Sequence, residues 1–126
     1  MNQEKDIAET YLAEWIETFE AQEFDDDTRA LLLRGINSGR LDLNKGTEEF
    51  TLKLIKPVEL DNGEVIEAMK ISEPSVHQLR ESQRDRDDFT KSLKLLAAIT
   101  GHPVGVLERL KSRDMTLAGA VMGFFI

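Results

Sequence analysis

The stretch that decides the fold runs from Phe50 to Leu79 and reads FTLKLIKPVELDNGEVIEAMKISEPSVHQL. Its first residues alternate between apolar and polar side chains, the period-two pattern of a strand with one buried face. A second, less regular apolar run follows over residues 65–71. Between the two runs, Asp61-Asn62-Gly63 tolerates positive φ and lets the chain reverse. The stretch therefore predicts an antiparallel hairpin over about residues 50–71.

A helix is predicted directly after the hairpin, over about residues 75–87. Ser75 and Gln78 have the spacing of a capping box, in which each side chain satisfies a backbone N–H of the other residue. Because a lone hairpin is only marginally stable in water, the helices or a second copy of the protein must cover its apolar face. The predicted fold class is therefore α+β, with a small antiparallel hairpin or sheet packed with several α-helices.

The first part of the chain predicts an amphipathic helix over about residues 4–22. Its apolar residues recur every four positions, and most of its glutamates lie off that stripe. The stripe consists of Ile7, Tyr11, Trp15 and Phe19, widened by Leu12 and Ile16. Two interpretations remain open: the stripe packs on the domain's own core, or it binds a partner through aromatic anchors.

A second helix is predicted from Asp25 to about Asn37. Three consecutive carboxylates at its start cap the helix and interact favourably with its positive end, and Gly39 can end it in the left-handed conformation. We therefore predict two units: an acidic helical N-terminal unit over residues 1–46, and a hairpin plus helical domain over residues 47–126.

The last third of the chain predicts three more helices. An apolar stripe begins at Phe89 and stops at Gly101, and Pro103 suits the first turn of a short helix. Ser112 or Asp114 is expected to cap the final helix. That helix is apolar nearly all round, so it is buried either in the core or in an interface. Its two glycines, at positions 119 and 123, permit close approach of another helix.

Charge and composition exclude several classes of function. The 126 residues carry a net charge of −8, and residues 1–49 hold all of the imbalance, with 13 acidic and 5 basic side chains. Nucleic-acid binding is disfavoured, because it requires cations that displace counterions from phosphates. The chain has no cysteine, which rules out disulfides and zinc–thiolate sites. No signal peptide and no run long enough to span a bilayer is visible, so we expect a cytoplasmic protein without a membrane partner.

No catalytic or cofactor-binding pattern is found. His77 and His102 are far apart and lack the flanking residues of a metal site or a nucleophile–base pair. We expect no metal, no cofactor and no enzymatic activity.

Several short motifs resemble the tail assembly chaperones of Mu-like and related contractile-tailed phages. They are a strand ending in Lys56-Pro57-Val58, a glycine turn, a second strand and a helix start at Glu73-Pro74-Ser75. The resemblance continues through a helix near residues 93–100, a Gly-x-Pro break and a last helix that reads MTLAGAVMGFF from Met115. It covers about residues 50–125.

The resemblance implies a non-catalytic assembly factor that binds the tape-measure protein during tail morphogenesis through apolar helical surface. The residues we expect to contact the partner lie on the last helix: Met115, Ala118, Val121, Met122, Phe124 and Phe125. The alternative is a structural or regulatory protein-binding domain that only self-associates, and a homo-oligomer is compatible with both.

The resemblance also implies a longer second product made by backward ribosomal slippage. Gly123-Phe124-Phe125 can be encoded by a T-rich slippery heptamer, on which both tRNAs can re-pair one nucleotide back. We therefore expect an overlapping reading frame beyond these codons, and the longer frameshifted form as a possible partner of the 126-residue form.

Overall fold

The computed structural model describes residues 3–125, with side chains from Ile7 onward. Within these residues the chain forms six helices and one three-stranded antiparallel sheet, which confirms the predicted α+β class. The elements, in chain order, are α1 (Gln3–Thr18), α2 (Asp26–Asn37), β1 (Leu41–Asn44), β2 (Glu49–Glu59), β3 (Val65–Ile71), α3 (Val76–Ser82), α4 (Asp88–Thr100), α5 (Val104–Leu107) and α6 (Ser112–Met122).

The hairpin predicted over residues 50–71 forms two of the three strands, β2 and β3, and β2 is the central strand of the sheet. Strand β2 pairs with β3 from Phe50 opposite Ile71 onward, and Gly63 has the positive φ of +89° that the reversal requires. One face of the sheet is buried, because alternate side chains point to opposite faces. Its buried residues are Leu41, Leu43, Phe50, Leu52, Leu54, Val58, Met69 and Ile71.

The sequence pattern placed Pro57 at the end of the first strand, but in the structure it lies inside β2. The pairing of β2 with β3 is regular up to Lys53 and resumes at Val58, with a register shift between them. Proline has no N–H to donate, so it is tolerated where the ladder is interrupted.

A third strand, β1, extends the sheet on the other side of β2. Its register places Leu41 opposite Leu52 and Leu43 opposite Phe50, and both leucines are buried. The brief alternation of Leu41, Asp42 and Leu43 in the sequence therefore reflects a real strand, which joins residues before position 46 to the hairpin.

The apolar stripe of α1 divides between core and surface. Ala8, Leu12 and Trp15 are buried, whereas Ile7 and Tyr11 are 54% and 45% exposed. Steps of four residues turn about 40° too far around a helix of 3.6 residues per turn, so a stripe with strict four-residue spacing drifts away from the core. The helix itself ends at Thr18, because Glu20 adopts a left-handed φ of 51° and the Ala21 N–H bonds back to the Ile16 carbonyl.

Several predicted helix ends are confirmed at atomic detail. The Asp25 carboxylate accepts the Thr28 N–H at 2.7 Å, and the capping box of Ser75 and Gln78 has both of its hydrogen bonds. Gly101 ends α4 with a φ of +78°. The helix predicted over residues 75–87 is shorter than expected. It stops at Ser82. A separate helix, α4, begins after Asp87, whose carboxylate accepts the Thr90 N–H and caps it.

The start of α6 differs from the prediction. Neither Ser112 nor Asp114 caps it: the N-cap residue is Lys111, which makes no side-chain cap hydrogen bond, and Ser112 is the first helical residue. Asp114 is fully buried, and its carboxylate is directed away from its own helix toward the sheet. The sequence spacing alone could not distinguish a capping carboxylate from one that binds another element.

An aromatic cluster joins the two ends of the chain to the sheet. The Phe50 ring lies 5.4 Å from the Trp15 ring and 5.0 Å from the Phe124 ring, and the Phe124 ring also contacts Phe24 at 4.9 Å. Residues from both sides of position 46 therefore share one core. The division into units 1–46 and 47–126 stays a prediction, since it concerns whether each part folds alone.

Candidate protein-docking site

Most apolar residues of the last helix, α6, are packed inside the protein and are not presented to solvent. Of the six residues expected to contact a partner, four are buried in the core: Ala118, Val121, Met122 and Phe124. Met115 and Phe125 are half-buried. The exposed face of α6 is formed by small or polar side chains, including Thr116 and Gly119. A helix that is apolar nearly all round is thus placed mainly against the domain's own core.

An ion pair between a partly exposed arginine and a fully buried carboxylate fixes the beginning of α6 against the sheet. The Arg40 guanidinium donates to the Asp114 carboxylate, which also accepts the Ile55 N–H at 2.9 Å and 3.1 Å from its two oxygens. Arg40 additionally donates its Nε–H to the Lys53 carbonyl at 3.2 Å. Because a buried charge is stable only when its hydrogen bonds are satisfied, this arrangement holds α6, β2 and the start of β1 in one geometry.

An open depression of about 520 Å³ lies between α4, α5 and α6, and we call it the α4–α6 groove. Its apolar lining residues are Phe89, Leu93, Leu107, Leu110, Met115 and Gly119. Glu108 is the charged residue among the described side chains that line it. An apolar groove with a polar rim is a typical docking surface for an amphipathic helix.

Phe89 is the most conspicuous apolar side chain of this groove. It is 62% exposed on the first turn of α4, while Leu93, one turn later, is buried. Val76 on α3 is 81% exposed but does not line the groove. Large aromatic side chains bury 150–250 Å² each and are enriched at the centres of protein interfaces, so Phe89 is the natural anchor for a partner.

The two glycines of the last helix face different surroundings. A Cβ atom added at Gly119 would meet no atom outside its own stretch of helix within 4 Å, and this residue lines both the groove and a neighbouring depression beside Phe24. A Cβ atom at Gly123 would lie 2.9 Å from Cε1 of Phe24 and 3.0 Å from the Ala120 carbonyl oxygen. The close approach predicted for this small-residue face is therefore made inside the chain at Gly123, and Gly119 remains accessible.

The described residues offer no arrangement typical of metal or membrane chemistry. Among the described side chains, those of residues 7–125, no group of three or more His, Asp and Glu is placed to hold a metal ion. None of the helices within residues 3–125 combines the length and apolar character that a bilayer span requires. His77 is exposed on α3, and His102 is half-buried in the loop before α5.

Sequence reasoning missed the α4–α6 groove although it identified most of the residues that line it. Phe89 and Leu93 belong to the apolar stripe expected to run from Phe89 to Gly101, and Leu107 and Leu110 belong to the short helix expected after Pro103. An aromatic residue two positions after a capping aspartate is a signal that could have been noticed, because the first turn of a helix is often exposed. Which side of α4 another helix covers depends on the packing, so the pattern alone could not locate the groove.

Comparison with known proteins bears on the same region of the chain. No curated protein sequence and no solved structure shows significant similarity to the chain. A family model described as "phage tail assembly chaperone proteins, E, or 41 or 14" matches residues 51–126. The match includes β3, most of β2 and helices α3 to α6, and thus every residue of the α4–α6 groove. Because it spans more than half of the sequence, this chain belongs to the phage tail assembly chaperone family.

Proposed function

We propose that this protein is a non-catalytic tail assembly chaperone that binds the tape-measure protein in the host cytoplasm during tail morphogenesis. Membership of the chaperone family supports a protein partner in tail assembly. The observation that carries the proposal is the exposed Phe89 ring beside the apolar α4–α6 groove, within the residues that the family model matches.

The client chemistry follows from the lining of the groove. A helical client that has not yet been coated by tube protein exposes apolar side chains, which tend to aggregate in water. A groove lined by leucines, a phenylalanine and Met115 covers such side chains, and the methionine side chain adapts to different shapes. The net charge of −8 keeps the chaperone itself in solution.

The contact residues of the proposal are the exposed part of the set expected from the sequence, together with the groove wall. Met115 and Phe125 retain accessible surface, and we assign Met115 with Phe89 to direct contact. Ala118, Val121, Met122 and Phe124 act beneath this surface and hold α6 in place. A charged substitution at Val121 would therefore test the fold and not the contact.

Co-expression with the tape-measure protein of the same phage or prophage, followed by affinity purification, tests the proposal. Phe89→Ser should weaken capture by about tenfold or more, since an anchor aromatic residue is lost from the interface. Val76→Ser is the matched control, because Val76 is also exposed but lies outside the groove. Equal capture by Phe89→Ser and the parent protein would contradict the proposal.

A second variant separates binding from folding. Gly119→Leu adds a bulky side chain at a residue that lines the groove, and it also replaces a glycine in a helix interior, which favours the folded helix. It should reduce tape-measure capture while the melting temperature stays the same or rises. If Gly119→Leu binds the client normally, the groove is not the contact surface.

The Phe89→Ser variant also tests the alternative function, self-association alone. A self-associating domain would change its oligomeric state on Phe89→Ser substitution, measured by analytical ultracentrifugation, and would capture no tape-measure protein with either sequence. We favour the chaperone reading, because the family assignment names tail assembly.

The proposal includes a longer, frameshifted product as a second partner. Phe124 is buried and Phe125 half-buried beside the aromatic cluster, so an added segment would leave the domain immediately after docked residues. Reading the gene across codons 123–125 tests this part. A T-rich slippery heptamer followed by an open frame supports it, and an interrupted T run contradicts it.

A further inference from the structure

A second depression, of about 740 Å³, lies on the other side of α6, between α2 and the middle of β2. We call it the arginine pocket. Its principal lining residues are Leu31, Arg34, Arg40, Ile55, Arg113 and Leu117. Three of these belong to α2 and the residue before β1, and so precede the region matched by the family model.

The charge of the pocket is opposite to that of the protein. The chain carries a net charge of −8, yet three guanidinium groups line this cavity, and no Asp or Glu among the described residues lines it. Asp114 lies behind Arg40 and is fully buried, so it neutralises Arg40 without facing the cavity. A local positive potential on an acidic protein selects a negatively charged partner.

Two of the arginines are available to such a partner. Arg34 and Arg113 are exposed, and neither forms an ion pair with any of the side chains described, those of residues 7–125. Arg40 also lines the pocket, but its guanidinium group is held in place by the Asp114 carboxylate and the Lys53 carbonyl. The planar guanidinium group binds a carboxylate through two parallel hydrogen bonds, which gives both affinity and orientation.

The pocket also offers apolar surface next to these charges. Ile55 is 39% exposed, Leu31 is half-buried, and Leu117 forms part of the cavity wall. A long polyanion such as a nucleic acid would bring many phosphates near the acidic remainder of the protein. A short protein segment brings only one or two carboxylates together with an apolar side chain, and so fits both properties of the pocket.

We propose that the arginine pocket binds an acidic, apolar segment of a protein partner, with a carboxylate between Arg34 and Arg113 and an apolar side chain against Ile55. This function uses residues before position 51 and does not depend on the identity of the client of the α4–α6 groove. It gives the N-terminal part of the chain a direct role in recognition.

Fluorescence anisotropy of the full-length protein with a labelled helical peptide tests the proposal. The probe is a peptide of about 16 residues, long enough to form helix, with one glutamate beside one leucine in each turn. Its control replaces every glutamate by lysine. We expect binding of the glutamate peptide only, weakening as salt is raised, with amide shifts of Leu31 and Ile55 in the NMR spectrum.

Charge-reversal variants locate the site. Arg34→Glu combined with Arg113→Glu should weaken binding of the glutamate peptide by about tenfold or more. Arg80→Glu combined with Arg86→Glu makes the same change in net charge at exposed arginines outside the pocket and should retain most of the binding.

Four results would overturn the proposal. They are failure of the glutamate peptide to bind, equal binding of the lysine peptide, equal weakening by the two double variants, and tighter binding of a single-stranded oligonucleotide than of the peptide. The last result would indicate a nucleic-acid site. None of these results bears on tape-measure capture through Phe89, so the two proposals fail independently.

Discussion

The carboxylate of Asp114 on α6 accepts the backbone N–H of Ile55 on β2, at 2.9 Å from Oδ1 and 3.1 Å from Oδ2. Strand β1 stops pairing with β2 at Leu52, and the Lys53 N–H is taken by the Arg40 carbonyl at 2.7 Å. The next N–H on the same edge is that of Ile55. A side chain thus continues the hydrogen bonding of the sheet where no strand is present, and covers an edge that could otherwise pair with another chain.

Asp114→Ala should lower the free energy of unfolding by about 3 kcal/mol. The substitution leaves the Ile55 N–H and the Arg40 guanidinium without their shared acceptor in a buried place. Urea denaturation followed by circular dichroism measures this change. Asp61→Ala, at an exposed turn position 4.0 Å from Arg109, is the control and should change the free energy by less than about 0.5 kcal/mol. Similar values for the two variants would contradict the structural role of Asp114.

Alanine substitutions at the two glycines of the last helix should have opposite effects. Gly119→Ala should raise the free energy of unfolding by about 0.5–1 kcal/mol, because the new Cβ meets open space and alanine favours the helix. Gly123→Ala should lower it, because its Cβ would collide with the Phe24 ring and the Ala120 carbonyl. Thermal melts of both variants test the pair, and a shift in the same direction for both would be inconsistent with this packing.

The helix caps should make the fold sensitive to acid. The backbone hydrogen bond from Thr28, followed by its side-chain hydrogen bond, lowers the pKa of Asp25 from its ordinary value of 3.8. For Asp87 the side-chain hydrogen bond from Thr90 is the larger cause of a lowered pKa, followed by the backbone hydrogen bond. Since the pKa of each carboxyl is lower in the folded state, its stabilisation is fully present above pH 3.8 and is lost as the pH falls through the folded pKa.

The combined variant Asp25→Asn and Asp87→Asn should therefore lose less stability on acidification than the parent protein. Asparagine retains the oxygen that caps the helix but has no proton to gain. Urea midpoints at neutral pH and near pH 3 measure the difference. Asp61→Asn removes a carboxylate that caps no helix and should keep the acid sensitivity of the parent protein. An acid loss in the combined variant as large as that of the parent protein would contradict the prediction.

Deletion of residues 1–46 tests whether the two predicted units fold separately. The predicted division requires residues 47–126 alone to remain folded and to unfold cooperatively. The deletion also removes β1 and the Trp15 ring that packs on Phe50, so a loss of cooperative unfolding would contradict the division and assign residues 1–46 to the common core. Within the full chain, Trp15→Ala should cost about 3–5 kcal/mol. Tyr11→Ala, on the exposed part of the same helix, should cost far less. A truncated chain that melts as sharply as the full chain would support residues 1–46 as a separable unit.

Local sequence signals determined the elements that depend on neighbouring residues. The alternation in β2, the reversal at Gly63, the capping box of Ser75 and Gln78 and the left-handed end at Gly101 are all satisfied by groups within a few positions. The α+β class and the family resemblance over about residues 50–125 rest on these same short motifs. They could be predicted because their energetics are complete within one turn or one hairpin.

Only the tertiary structure decided what each apolar or charged side chain faces. The sequence pattern did not indicate that Asp114 pairs with Arg40, which lies 74 positions earlier. The pattern predicted the apolar stripes of α1 and α4, but it did not indicate that Tyr11 and Phe89 lie outside the core. Burial and ion pairing depend on which elements pack together, and that packing follows from the summed contacts of distant residues. The sequence pattern therefore specifies the helices and strands, while the α4–α6 groove and the arginine pocket arise only where those elements meet.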